Sequence, residues 1–303
     1  MKNKKTVIRL GVYLFISFAI PWTMAITFAL NGGEYESSTM QFIMMFAMLC
    51  PSIAMLFTRW ITKEDFLLTG NNSMKLGITL KNRKWIWYIV AFTLPMIYND
   101  LSTALLLLFQ PDCFDVTMLE KNGMDSGILW ILPIAVISSA ATLSVGALGE
   151  EAGWRGYMMP KLEELFGTGW SVLIGGVIWG VWHFPINMMG HNFGTGYWGE
   201  PWSGFISFTI FTIFVGAILT LLTKKTGSVW PATFLHAVNN TGAGILGAFV
   251  NQEKISGIFQ DPVIGGTILK IPVILLGTVA IIMMCKKKRG CKKTPLKEKS
   301  LES

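Results

Sequence analysis

Charge is what this chain has least of. Only 14% of its 303 residues are Asp, Glu, Lys or Arg, against roughly a quarter in soluble domains. A surface built for water is thereby excluded over most of the chain. Cysteine is also scarce. The four, Cys50, Cys113, Cys285 and Cys291, have no metal-ligand spacing, which argues against a disulfide framework or a cysteine zinc site. Cys285 and Cys291 flank a basic tail, where acylation is one reading and a plain small residue near a helix end is the other. No internal repeat and no long polar segment set off a soluble domain, so 1–303 reads as one integral membrane domain ending in a basic tail, 286–303.

What the chain has in quantity is apolar length. Hydrophobic residues make up 52% of it, and the mean hydropathy is +0.51. Runs close to the roughly 20 residues that cross a bilayer core occupy 8–30, 41–58, 85–109, 128–148, 171–188, 203–222, 228–250 and 267–285. The first is longer than the core of a signal peptide and reads as a retained helix. The predicted fold is all-α, a polytopic membrane protein with about eight transmembrane helices.

The few charges are unevenly placed. Four basic residues lie in 2–9, six in 59–84 and eight in 286–299; with Arg155, Lys161, Lys224 and Lys225 these account for 22 of the 25. All fall on the side of the N-terminus if the runs alternate, whereas the other side holds Lys121, Lys254 and Lys270 among acids such as Glu34, Asp112, Asp125 and Asp261. This asymmetry predicts a multi-pass cell-membrane protein with both termini cytoplasmic. The net charge of +7 then needs no nucleic-acid partner, because the tail suits anionic lipid headgroups. Short loops and lysine-rich ends have a bacterial look. Residues 59–84 suit an interfacial segment, the loop 190–202 carries aromatic residues suited to headgroup anchoring, and Gly176 and Gly180 suit close helix packing.

An ionisable group in a span costs about 2.5–3.5 kcal/mol at the helix centre, so the exceptions point to function. They are Asp100, Glu150, Glu151, Arg155, His183 and His236, with Asn239 and Asn240 beside the last; His191, in the loop, falls outside the set. If the fourth helix stops at Pro160, Glu150 lies about 15 Å from the cytoplasmic end, with His183 at about 20 Å and His236 at about 12 Å. Three helices thus bring polar groups to one layer. Glu151 and Arg155, four apart, can pair, which lets a buried arginine avoid standing alone. Glu150 is left without a cation, which suits a general base. His236 and Asn240, also four apart, offer N–H donors of the kind that stabilise an oxyanion. Together with His183 as a water-holding group, these are sufficient to hydrolyse an amide. The set Glu150, His183 and His236 is equally a possible zinc set; no HExxH pair is present. Asp100 has no assigned role.

The order Glu150-Glu151-x-x-x-Arg155, His183, His236-x-x-x-Asn240 on such a chain resembles the CPBP (Abi) family of intramembrane endopeptidases, which includes type II CAAX prenyl proteases and bacteriocin-processing or self-immunity proteins. The resemblance covers about 148–242. The family's second motif usually opens with Phe four residues before the histidine, where this chain has Trp179, a swap that keeps an aromatic and can narrow the cavity. The resemblance implies an endopeptidase with Glu150, Glu151, His183, His236 and Asn240 as the catalytic set, Glu151 and Arg155 as support for Glu150, and Trp179 in a packing role. It also implies a cavity open to the cytoplasm and a peptide or protein substrate entering from the membrane or cytoplasmic side. Zinc is left open, since members are described both as metalloproteases and as metal-free glutamate proteases. A non-proteolytic immunity or binding protein and a proton-coupled transporter are the alternative readings.

Overall fold

A computed structural model describes residues 2–121 and 127–286. Cys291, Asp125 and most of the basic tail lie outside the described residues. The long helices are α1 (Lys2–Leu30), α2 (Ser38–Ile61) and α3 (Trp85–Phe109); a single turn, α4 (Met118–Lys121), precedes α5 (Ile128–Gly153). A π turn (Trp154–Met158) joins α5 to α6 (Met159–Trp182), and the short α7 (Phe184–Met188) leads to α8 (Trp202–Thr226). The chain closes with α9 (Trp230–Asn240), α10 (Ile264–Leu269) and α11 (Ile271–Cys285). Among the described residues there is no strand, only an isolated bridge between Phe114 and Val250.

Among the described residues, five helical stretches are long and apolar enough to cross a membrane, and one of them, Ile134–Trp182, is 49 residues long. That stretch reverses on itself. Pro160 does not end the helix, as the sequence suggests, because it sits in the first turn of α6, where proline costs no hydrogen bond. The turn comes at Gly167, whose φ of 76° is left-handed. Beyond it, Gly175 comes back against the side chain of Met159. Glu150 is 17 residues from this turn, about 25 Å along the helix, so it is deeper than a stop at Pro160 implies.

The predicted span 228–250 is half a helix. α9 has 11 residues and ends at Asn240, and the chain then runs irregularly through Gly242, at φ +64°. Irregular backbone at membrane depth must find its hydrogen bonds inside the protein. α3 provides them: Asn99 Nδ2 donates to the carbonyl of Ala243 at 2.8 Å, and the amide of Leu246 donates to Asp100 Oδ1 at 2.8 Å. Asp100 is therefore a cap for the broken seventh crossing.

Close contact between helices holds the centre. A Cβ on Gly149 would lie 2.6 Å from the carbonyl of Met48, and one on Gly176 would lie 2.4 Å from the Cα of Ile213, so α5 presses on α2 and α6 on α8. Trp154, Tyr157, Leu162, Trp179, Leu219 and Leu235 fill the core between them. Segment 62–84 contains no helix; it exposes Phe66, Leu67 and Leu68, as an interfacial segment should. The loop 190–202 divides: Trp198 and Trp202 are exposed at its surface, while Phe193 and Tyr197 pack inward on Phe208 and Val263.

Candidate active site

The two adjacent glutamates enter different surroundings. Both are buried, and α5 carries them just before the π turn, a type of distortion that often accompanies functional sites. Glu150 Oε2 accepts the indole N–H of Trp179 at 2.8 Å and of Trp154 at 3.3 Å. Among the described residues it forms no ion pair. Glu151 Oε1 instead accepts from Arg155 Nη1 at 2.9 Å and lies 2.9 Å from His236 Nδ1. The pairing of Glu151 with Arg155 is as the spacing predicts, and Arg155 is also stacked over the Trp179 ring at 4.3 Å.

The contact between Glu151 and His236 is new. A carboxylate only accepts, so Nδ1 of His236 carries the proton and Nε2 is the free end of the ring. His183 is fixed in the same way: its Nδ1 is 2.9 Å from the carbonyl of Trp179, which again only accepts.

A cavity of about 470 Å³ collects these free ends. Glu150, Trp179, His183, His236 and Asn240 line it, whereas Glu151 and Arg155 stand behind the wall. The expected convergence of helices four, five and seven is present in the elements α5, α6 and α9. The sequence sets His191 aside, but it is a wall residue. His191 lies in a loop, but the loop folds back, so that its ring lies parallel to that of His183 at 6.5 Å and its Nδ1 is 2.6 Å from the Tyr35 hydroxyl. Burial pushes this imidazole down to about 4, so the ring is neutral near pH 7. Asn239, which the sequence sets beside Asn240 without a role, also lines the cavity and accepts the Tyr98 hydroxyl at 2.5 Å.

Among the described residues no three His, Cys, Asp or Glu side chains are gathered closely enough to hold a metal. One Glu150 oxygen accepts two indole donors, and each imidazole has Nδ1 committed with Nε2 free, an orientation that a metal-ligating histidine also adopts. No cysteine joins them: Cys50 and Cys113 are buried elsewhere and Cys285 is exposed at the end of α11.

The cavity lies towards one end of the bundle. Its remaining walls include Met44 and Met48 from the first half of α2, Asn192 and Phe193 after α7, and Lys270 before α11. The basic segments gather at the other end, where Lys84 Nζ donates to the carbonyl of Thr226 at 2.7 Å and Lys224 pairs with Glu163.

Between the cavity and the basic end stands a second carboxylate cluster. Glu64 accepts from the Tyr157 hydroxyl at 2.5 Å, Lys161 at 3.1 Å and Thr62 at 3.1 Å, with Arg9 at 3.5 Å. Burial alone would raise its carboxyl, but the Tyr157 and Lys161 hydrogen bonds and the nearby cations outweigh burial and hold it below the ordinary value.

Residues 129–242, which contain all the motif residues, match the family described as type II CAAX prenyl endopeptidase Rce1-like. Over 282 residues the chain is 23% identical to a protein named CAAX prenyl protease 2 from Methanococcus maripaludis, covering 91% of this chain and 94% of that one. These matches agree with the motif order around Glu150, His183 and His236 and with the resemblance of this chain to the CPBP family.

Proposed function

We propose that this protein is an intramembrane endopeptidase that hydrolyses a peptide bond with a water activated by Glu150. The observation that carries the reading is that a carboxylate held by neutral N–H donors faces the same cavity as His183, His236 and Asn240. The indoles of Trp154 and Trp179 orient the carboxylate without neutralising it, and so leave it able to take a proton.

In the reaction, Glu150 takes a proton from water as the water oxygen attacks the scissile carbonyl carbon. His183 Nε2, unprotonated, accepts the second water proton as a hydrogen bond and fixes the direction of attack. The Asn240 amide donates to the oxygen that becomes negative, and His236, held by Glu151, faces the same oxygen. Glu150 then passes its proton to the leaving nitrogen, the C–N bond breaks, and a carboxylic acid and an amine are released. Glu151 is a positioning residue on this account, orienting His236 as a buried carboxylate does in a hydrolytic triad. No step runs through a metal.

The name of the Methanococcus relative makes CAAX-type tails one class to test, and leader or bacteriocin-type peptides fit the same chemistry. The experiment is cleavage of a panel of leader and CAAX-type peptides by purified protein, with and without chelator. Wild type should cleave at least one of them irrespective of chelator. Glu150→Gln should lose that activity by about 10²–10⁴-fold, the usual contribution of a general base, at an unchanged melting temperature. Cleavage by Glu150→Gln at the wild-type rate contradicts the proposal.

A further inference from the structure

We infer that the cavity opens away from the cytoplasm and that its substrate is a peptide segment presented on the outer side of the membrane. The word substrate rests on the hydrolytic reading above; the direction of opening rests on three independent observations.

The first is the plug beneath Glu150. Residues 151–159 are buried without exception, and Trp154 and Tyr157 pack there edge-on and tilted against Tyr13. Segment 62–84 closes this plug from below. A Cβ on Gly156 would lie 2.7 Å from the carbonyl of Met74, and Arg59 ties the segment down through the carbonyls of Asp65 and Asn72 at 2.6 and 3.0 Å. A peptide cannot reach Glu150 from that end without unpacking these residues.

The second is the composition of the opposite wall. Met44, Asn192 and Lys270 belong to segments that start or end at the far face. The Tyr35–His191 hydrogen bond joins two loops of that face, 31–37 and 189–201, beside the cavity.

The third is charge. Arg9, the basic residues of 59–84, Lys161, Lys224 and Lys225 cluster at the plugged end, whereas Lys121, Lys254 and Lys270 are the only cations of the far side in the sequence. Cationic connections are retained on the cytoplasmic side. The plugged end is then inside and the open end outside. A prenylated tail confined to the cytosol would meet the closed end; a peptide exported through the membrane, or a membrane-protein segment leaving its outer surface, would meet the open one.

The test uses the full-length chain with Cys285 and Cys291 replaced by Ser, carrying one new cysteine at a time. A membrane-impermeant maleimide is applied to right-side-out membrane vesicles. Thr195→Cys in the far-face loop and Met44→Cys on the cavity wall should both be labelled in intact vesicles. Lys81→Cys, in the 62–84 segment, should be labelled only after permeabilisation. Labelling of Lys81→Cys in intact vesicles, with Thr195→Cys protected, overturns the inference, and the exposed loop position keeps this outcome readable even if Met44→Cys fails to fold. Either labelling result leaves the Glu150→Gln cleavage assay unaffected, so failure of the access direction and failure of the hydrolytic reading are separable.

Discussion

Two buried carboxylate clusters sit one behind the other in this molecule, and they are built to opposite rules. Around Glu64, Tyr157, Thr62, Lys161 and Arg9 surround the carboxylate with donors and cations. Among the described residues, Glu150 takes its hydrogen bonds from two indole N–H groups and faces a cavity. Glu151 is intermediate: it holds a cation and an imidazole on one oxygen, while its other oxygen has no hydrogen-bond partner. A saturated carboxylate binds segments together; a carboxylate fixed by neutral donors keeps its basicity for another molecule. Burial alone does not separate structure from chemistry here. The identity of the partners does.

The comparison is broken most severely at Glu151. Glu151→Ala removes the acceptor that orients His236 and leaves Arg155 as a buried charge, so cleavage should fall by about 10²–10⁴-fold and the melting temperature should drop as well. His236→Ala should match the loss of cleavage with a smaller loss of stability, which thermal melts alongside rate measurements would register.

Glu64→Gln should do the reverse. Removing one member of a buried ionic cluster costs about 3–5 kcal/mol, and the half-exposed setting of Arg9 places this case towards the lower end. The turnover of the molecules that remain folded should be that of wild type, as measured by chemical denaturation together with active-site-normalised rates. Arg155→Ala, which strands Glu151, should likewise lower stability more than Glu150→Gln does.

A finer cut is Trp179→Phe, the aromatic usual at this position in the resembled family. It keeps a ring beside Arg155 but removes the 2.8 Å hydrogen bond to Glu150. Hydrogen bonds to charged groups contribute about 1.5–3 kcal/mol, so kcat should fall by roughly 10–100-fold with little change in melting temperature. An unchanged kcat would show that Trp154 alone suffices to orient the carboxylate.

The smallest effect is on pH dependence. Because the folded state holds the Glu64 carboxyl below its ordinary value, its stabilisation is complete above the unfolded value and is lost as pH falls through the lowered one. Wild type should therefore lose melting temperature between pH 6 and the acid limit of folding, whereas Glu64→Gln should lose less over the same interval.

Much of the site was legible in the sequence because charges are so rare in it. Glu150, His183, His236 and Asn240 stood out against apolar runs, and the four-residue spacing of Glu151 and Arg155 announced their pairing. What the sequence did not announce depends on long-range geometry. The contact of Glu151 with His236 joins residues 85 positions apart. His191 was dismissed for being in a loop, yet that loop folds inward. The indole N–H groups of Trp154 and Trp179 look like core aromatics until their partner is known. Pro160 resembled a helix stop because proline ends helices from within, but in the first turn after a π bulge it does not. The seventh apolar run, 228–250, concealed a half-length helix because hydropathy cannot sense the left-handed turn at Gly242, nor the caps from Asn99 and Asp100 that make such a break tolerable.

The division of labour between the two clusters is tested most directly by measuring cleavage and melting temperature side by side for Glu150→Gln and Glu64→Gln. The account predicts a stable, inactive Glu150 variant and a destabilised Glu64 variant that cleaves normally when folded. An active Glu150 variant, or a Glu64 variant that is fully stable but inactive, would contradict it.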